Sequence, residues 1–182
     1  RLPNKNVKEL LGKPLIAHTI ECALKAKSVE RVMLSTDDEE IASIARDYNI
    51  EIPFMRPARL ATDNAKVMDN FIYTIDRLNG QFNQDISEFV VLQTTSPLRE
   101  PEDVDDSIEL FRKKNADSVI SVCEAHYPPT SAIRVAPTRL ISNYFTIKHK
   151  VNAQTEKAYT PNGAVYVFKY SLLKNKYSYI FD

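Results

Sequence analysis

The chain has 182 residues, with 24 basic and 24 acidic side chains and hence a formal net charge of zero. This length suits one domain with a sizeable core, and the charge balance excludes a polyanion such as nucleic acid as the partner that composition would announce. No apolar run reaches bilayer length or follows the polar start "RLPNKN" as a signal peptide requires, so the chain reads as cytoplasmic with no membrane partner.

In chain order, the first stretch is a basic loop with Arg1, Lys5, Lys8 and Lys13. Cationic side chains ahead of a helix suit phosphate, because they add to unpaired backbone N–H groups; on charge alone a solvated loop accounts for them equally. Ile16, Ile20, Ala23 and Leu24 then share one helical face. Residues 31–35, "RVMLS", predict a short strand. It ends in Ser35, Thr36 and Asp37, and Asp37 with Glu40 three residues on predicts a capped helix rather than a metal site. Ile41, Ile44, Ala45 and Tyr48 form that helix's apolar stripe. Residues 51–55 predict an extended run ending at Arg56, and Met68, Phe71, Ile72 and Ile75 a third helix.

Residues 89–93, "FVVLQ", give the strongest strand signal. They run into the polar cluster Gln93, Thr94, Thr95 and Ser96, with Arg99 behind it. A fourth helix, with Val104, Ile108 and Phe111 inward, opens at Pro101 beside Glu102 and Asp103. Residues 118–123 predict another strand, and 162–168, "NGAVYVF", a last one. Between them, 139–160 is polar, dotted with aromatics and too long for a simple loop. An arm against a partner subunit and an edge hairpin on the same subunit explain it equally. Both cysteines, Cys22 and Cys123, sit in apolar contexts without metal or redox spacing and read as buried thiols. His18, His126 and His149 are far apart and read as surface or packing residues.

The alternation of strand and helix argues for an α/β fold with a mainly parallel sheet and helices on both faces. Ligands of such sheets bind beyond the carboxyl ends of strands, where Ser35–Asp37, Arg56 and Gln93–Ser96 all fall. The carboxamide of Gln93 both donates and accepts, as reading a base or a sugar edge requires. With glycines only at 12, 80 and 163, these residues hold no glycine-rich phosphate loop.

Taken together, "RLPNKNVKELLGKPLIAHTI", "STDDEEIA", "RPARLATD", "LQTTSPLR" and "NGAVYV" resemble, in order and over essentially the whole chain, the acylneuraminate cytidylyltransferases. The resemblance implies a single three-layer, Rossmann-like nucleotidyltransferase domain over 1–182, with 139–160 a dimerisation arm and the protein a homodimer. It implies CTP and a nine-carbon α-keto acid sugar, of the N-acetylneuraminate or legionaminate type, as substrates, and Mg²⁺ as cofactor. Lys5 and Asn6 match the Lys-Asn near the triphosphate and nucleotide, Arg56 the arginine on the nucleotide side, and Arg1 joins them as a nucleotide-side cation. Gln93 matches the glutamine facing the sugar and its reacting hydroxyl, so Lys5 and Gln93 are the expected catalytic pair. Thr95, Ser96, Asn162 and Tyr166 match sugar-side positions, and Arg99 falls to structure. No residue here is assigned to metal: the family's first strand and triphosphate loop, and its Asp-x-Asp metal pair, are expected before Arg1 and after Asp182.

Departures bear on the sugar. Thr94 stands where the family usually has proline. Asn152 and Thr160 stand where sialic-acid members often carry arginines, with Lys148, Lys150 and Lys157 as substitutes. Thr95 replaces the Asp that a 3-deoxy-manno-octulosonate cytidylyltransferase usually carries, which speaks against that alternative. "TDDEE" lacks the clean Asp-x-Asp of a metal-dependent glycosyltransferase. A non-catalytic CTP or CMP-sugar binding module is the remaining alternative.

Overall fold

Helix α1, Leu15–Lys25, carries apolar residues on two sides, and both are used. A computed structural model describes residues 2–62, 64–127, 132–143 and 157–178. The chain divides into two compact units, Arg1–Ser121 with Gly163–Asp182, and Val122–Asn162.

In the first unit the chain opens with a 3₁₀ turn, Lys5–Val7, and a small hairpin, β1 (Glu9–Leu10) and β2 (Lys13–Pro14), that leads into α1. The His18 ring Nε2 lies 2.8 Å from the Leu10 carbonyl and ties hairpin to helix, a packing role. On one side of α1, Ile16 and Ile20 pack with Ala45 and Ile50, around helix α2 (Glu39–Asp47). On the other, Cys22 and Ala26 meet Val104, Ile108 and Phe111 of α4 (Pro101–Lys114) and Val165 and Val167 of the sheet. Leu24, expected inward, is 51% exposed, and Ala17 and Thr19 are buried instead. Helix α3 (Val67–Gln81) supplies Met68, Ile75 and Leu78 to clusters with Phe168, Tyr170 and Leu173.

The sheet has the order β3-β7-β4, from Glu88–Val91, Tyr159–Lys169 and Ser118–Glu124. Valines 165 and 167 face the α1 and α4 cluster, while Phe168 faces α3 and α5 (Tyr170–Lys176), so helices cover both faces. β3 follows the same logic: Val90 and Leu92 pack on the α4 side, Phe89 and Val91 on the α3 side. A strand buried on both faces reads as an unbroken apolar run, which is why "FVVL" does not alternate.

The direction of pairing departs from the expected mainly parallel sheet. β7 runs antiparallel to β3, with Val91 opposite Tyr166. Backbone bonds from Lys169 to Asp117 and from Ala125 to Ala158 fall in opposite order along the two chains, so β7 runs against β4 as well. β3 and β4 share a direction, but the returning β7 separates them. The pattern of residue types cannot report this, because a two-faced buried strand looks alike in either direction. A described parallel contact is the Met33–Glu51 bridge, reinforced by Leu34 N–H donating to the Glu51 carbonyl. The strand expected over 31–35 is thus a single bridge.

The second unit contains an antiparallel hairpin, β5 (Ile133–Val135) and β6 (Ile141–Asn143), turning at Arg139 with φ 63°. Cys123 belongs here and is exposed, against the expectation of a buried thiol: the last three residues of β4 are all exposed, so neither face of the strand is covered there. Of the expected arm, 144–156 lies outside the described residues.

Candidate functional site

β3 ends at Val91, and the segment after it turns within one unit. Ser96 N–H reaches back to the Gln93 carbonyl at 3.4 Å, and Arg99 N–H to the Ser96 carbonyl at 3.3 Å. The turn is fastened from inside by Arg99, which is only 7% exposed. Its Nη1 donates to the Gln93 carbonyl at 3.2 Å and to the Ala164 carbonyl at 2.7 Å, clamping the end of β3 to β7. Among the described residues no carboxylate pairs with this guanidinium. A buried charge of that kind is costly unless hydrogen bonds replace its water; Nη1 is so bonded, while Nε and Nη2 are buried with no hydrogen-bond partner among the described residues.

Gln93 itself is half-buried. Its side chain lies against Gly163, where a Cβ would fall 2.6 Å from Oε1, and the φ of Gly163 is +79°. The left-handed backbone favours glycine at that position, and a Cβ added there would displace the flexible end of the Gln93 side chain.

Thr94 links this turn to the N-terminal loop. Its hydroxyl donates to Asn6 Oδ1 at 2.7 Å. Asn6 and Lys5 sit in the 3₁₀ turn, both half-buried, and among the described residues no carboxylate pairs with Lys5. The structure thus brings Lys5, Asn6, Thr94 and Gln93 into one region, with Thr95 exposed and Ser96 half-buried beside them.

Arg56 occupies a second locus in the same unit. Its Nη2 donates to Asp37 Oδ1 at 2.7 Å and its Nη1 to the Ser35 carbonyl at 3.4 Å, while its backbone N–H donates to the Thr36 carbonyl at 2.7 Å. Asp37 is therefore not the cap of α2. That role belongs to Asp38, whose Oδ1 accepts from Glu40 N–H at 2.8 Å and Ile41 N–H at 3.3 Å. The helix starts at Glu39, one residue later than the capping pattern suggested, and this frees Asp37 for the guanidinium.

Tyr166 packs on the Met68, Phe168 and Leu173 cluster, its ring stacked on Phe168 with centroids 6.0 Å apart. Asn162 is exposed and belongs to the second unit. So do Lys157, which pairs with Glu124 at 3.0 Å, and Thr160, whose Oγ1 lies 3.5 Å from Cys123 Sγ. Arg1, Lys148, Lys150, Asn152 and Asp182 fall outside the described residues.

The Mg²⁺ implied by the resemblance finds no seat among the described residues: no three of His, Cys, Asp or Glu gather there. Asp37 is engaged by Arg56 and Asp38 by a helix terminus. Asp105 is also spent, accepting from Ser28 N–H at 2.7 Å and Lys27 N–H at 3.1 Å, bonds that hold its carboxyl below the usual range.

Sequence reasoning missed two contributors. Thr94 was legible as one of the polar cluster and as a departure, and Gly163 only as part of a motif, but neither residue type signals the contact it makes across the fold.

Comparison with known proteins identifies the family. A family model described as cytidylyltransferase matches residues 1–179. The chain is 34% identical over 171 residues to a CMP-N,N'-diacetyllegionaminic acid synthase of Legionella pneumophila, covering 92% of this chain and 72% of that protein. It is 32% identical over 167 residues to a pseudaminic acid cytidylyltransferase of Campylobacter jejuni, covering 91% and 72%. It is 31% identical over 168 residues to an N-acylneuraminate cytidylyltransferase of Escherichia coli, covering 91% of this chain and 38% of that protein. A solved CMP:2-keto-3-deoxy-manno-octonic acid synthetase complexed with CTP shares the mixed α/β fold, with TM-score 0.70 at 20% identity over 97% of this chain and 72% of that one. By the family model and by these relatives, the chain belongs to the cytidylyltransferase family.

Proposed function

We propose that this cytidylyltransferase joins the CMP of CTP to a nine-carbon α-keto acid sugar of the legionaminate or N-acetylneuraminate type and releases pyrophosphate. The relatives named above for diacetyllegionaminic, pseudaminic and N-acylneuraminic acids support that substrate class. The observation that carries the reading is the bracing of Gln93 at the end of β3, between Gly163 and the Arg99 clamp, with Lys5 and Asn6 tied in through Thr94.

The chemistry is a substitution at phosphorus. The anomeric hydroxyl oxygen of the sugar bonds to the α-phosphorus of CTP, the bond from that phosphorus to the bridging oxygen breaks, and pyrophosphate leaves while the hydroxyl proton is lost. Such a reaction asks the protein for in-line placement and for positive charge near the phosphates. Gln93 orients the sugar hydroxyl, its amide both donating and accepting. Lys5, a cation free of any described carboxylate, meets the triphosphate. Asn6 and Arg56 bind on the nucleotide side. Arg56 carries Asp37 with it, so the carboxylate sets the plane of the guanidinium before nucleotide arrives. Thr95, Ser96, Asn162 and Tyr166 are the remaining sugar-side candidates and Arg1 the remaining nucleotide-side one. The second unit, with exposed Val135 and Ile141 paired across its hairpin, is the surface on which a second copy docks.

Two variants test the assignment in the intact protein. Gln93→Ala lowers turnover about 100-fold, the cost of a misplaced reactant, with the melting temperature nearly unchanged. Lys5→Ala raises the KM for CTP about ten-fold and leaves that for the sugar, since a charge-assisted contact is worth roughly 1.5–3 kcal/mol. An unchanged turnover in the first, or an unchanged CTP constant in the second, removes the corresponding role.

A further inference from the structure

The Thr94 hydroxyl spans 88 residues of sequence to reach Asn6. A carboxamide can turn over and exchange its acceptor for its two donors. The hydroxyl of Thr94 donates to Oδ1, and in this pairing the oxygen faces Thr94 and Nδ2 keeps its N–H groups for another acceptor. The backbone beneath Asn6 is held independently, by Val7 N–H on the Asn4 carbonyl at 3.2 Å and Lys8 N–H on the Lys5 carbonyl at 3.3 Å. Only the side chain is left for Thr94 to set. Both residues are half-buried, so water competes weakly for the bond. A proline or valine at 94 has no hydroxyl to offer.

We infer that Thr94 is a positioning residue for the nucleotide. It presents the Asn6 amide donors to an acceptor oxygen of CTP, and because it adjoins Gln93 it locks the nucleotide loop to the strand end that takes the sugar. This rests on the nucleotide-side reading of Asn6 above.

The test is CTP binding by calorimetry with the intact protein, alongside melting temperature. Thr94→Val keeps the shape of the side chain and removes the donor; it weakens CTP about five-fold, the worth of one neutral hydrogen bond. Thr94→Ser restores the donor without the methyl and binds CTP as the parent does. In an Asn6→Ala background, Thr94→Val adds no further loss. Equal weakening by Val and Ser would assign the effect to packing and overturn the inference, as would full affinity in Thr94→Val when Asn6→Ala is impaired. If Asn6→Ala itself binds CTP normally, the nucleotide-side reading fails and this inference with it. Should Thr94→Val not fold, Thr94→Ala and Thr94→Ser give the same contrast of donor present against donor absent.

Discussion

Gly163 limits what the Gln93 amide can do. An added Cβ meets Oε1 at 2.6 Å on a backbone with φ +79°, so Gly163→Ala carries a conformational cost and a smaller steric one, since the flexible end of Gln93 can shift. The conformational one is about 1–2 kcal/mol for an L-residue in the left-handed region. The steric one exists only while Gln93 is present. In the Gln93→Ala background the melting temperature therefore falls less on Gly163→Ala than it does in the parent; equal falls in both backgrounds would show that the contact with the amide contributes nothing. Position 93 stood out in the sequence because a polar cluster follows directly on four apolar residues, at the carboxyl end of a strand. What holds it was not legible. Gly163 and Ala164 approach from β7, and neither their residue types nor their spacing announces a contact with residues 93 and 99. Tyr166 shows the reverse: a residue in a functional motif whose ring lies on the apolar cluster of Phe168.

Helices were the most legible elements, since their stripes and end signals agree. Pro101 opens α4 inside a capping box of Glu100 and Asp103, and Asn115 closes it at φ 46°, where Lys169 Nζ meets both its carbonyl at 3.2 Å and its Oδ1 at 2.9 Å. The α2 start was misplaced by one residue because two aspartates in a row offer the same signal. The structure separates them: Asp38→Ala costs about 1 kcal/mol of stability through the lost cap, measured by denaturant midpoint, whereas Asp37→Ala acts on Arg56 and on CTP affinity. Equal stability losses in the two variants would contradict this division of labour.

The α3–α5 junction has a pH signature. Burial on its own raises the Asp76 carboxyl, but hydrogen bonds from Lys174 Nζ at 2.6 Å and Tyr170 Oη at 2.5 Å outweigh it and hold the group below its ordinary value. Its contribution is thus present above the unfolded carboxylate range and lost as pH falls through the folded value. The pair is half exposed, so the contribution is under about 1 kcal/mol. The stability advantage of the parent over Asp76→Asn is full above about pH 5 and fades below about pH 4. A difference constant across that span would remove the ion pair from the account.

For the whole molecule, composition and alternation announced an α/β protein with helices on both faces of its sheet, and the clusters on either side of β7 have that arrangement. Strand direction stayed hidden, because β7 comes home only after the second unit and nothing in "NGAVYVF" marks it as antiparallel. The second unit itself exposes Val135 at 60% and Ile141 at 67%, directly opposite each other in its hairpin. If that face joins two copies, Ile141→Lys converts a dimer to a monomer in sedimentation without lowering the melting temperature; an unchanged sedimentation coefficient would place the contact elsewhere. The central claim is that the braced strand end and its cations hold CTP and a nine-carbon α-keto acid sugar in line. The direct measurement is pyrophosphate release by the intact protein, with CTP and Mg²⁺ supplied, against a panel of nine-carbon and eight-carbon keto-acid sugars. The account predicts release that depends on a nine-carbon sugar and matches CMP-sugar formed mole for mole; release without any sugar, or only with the eight-carbon acid, would contradict it.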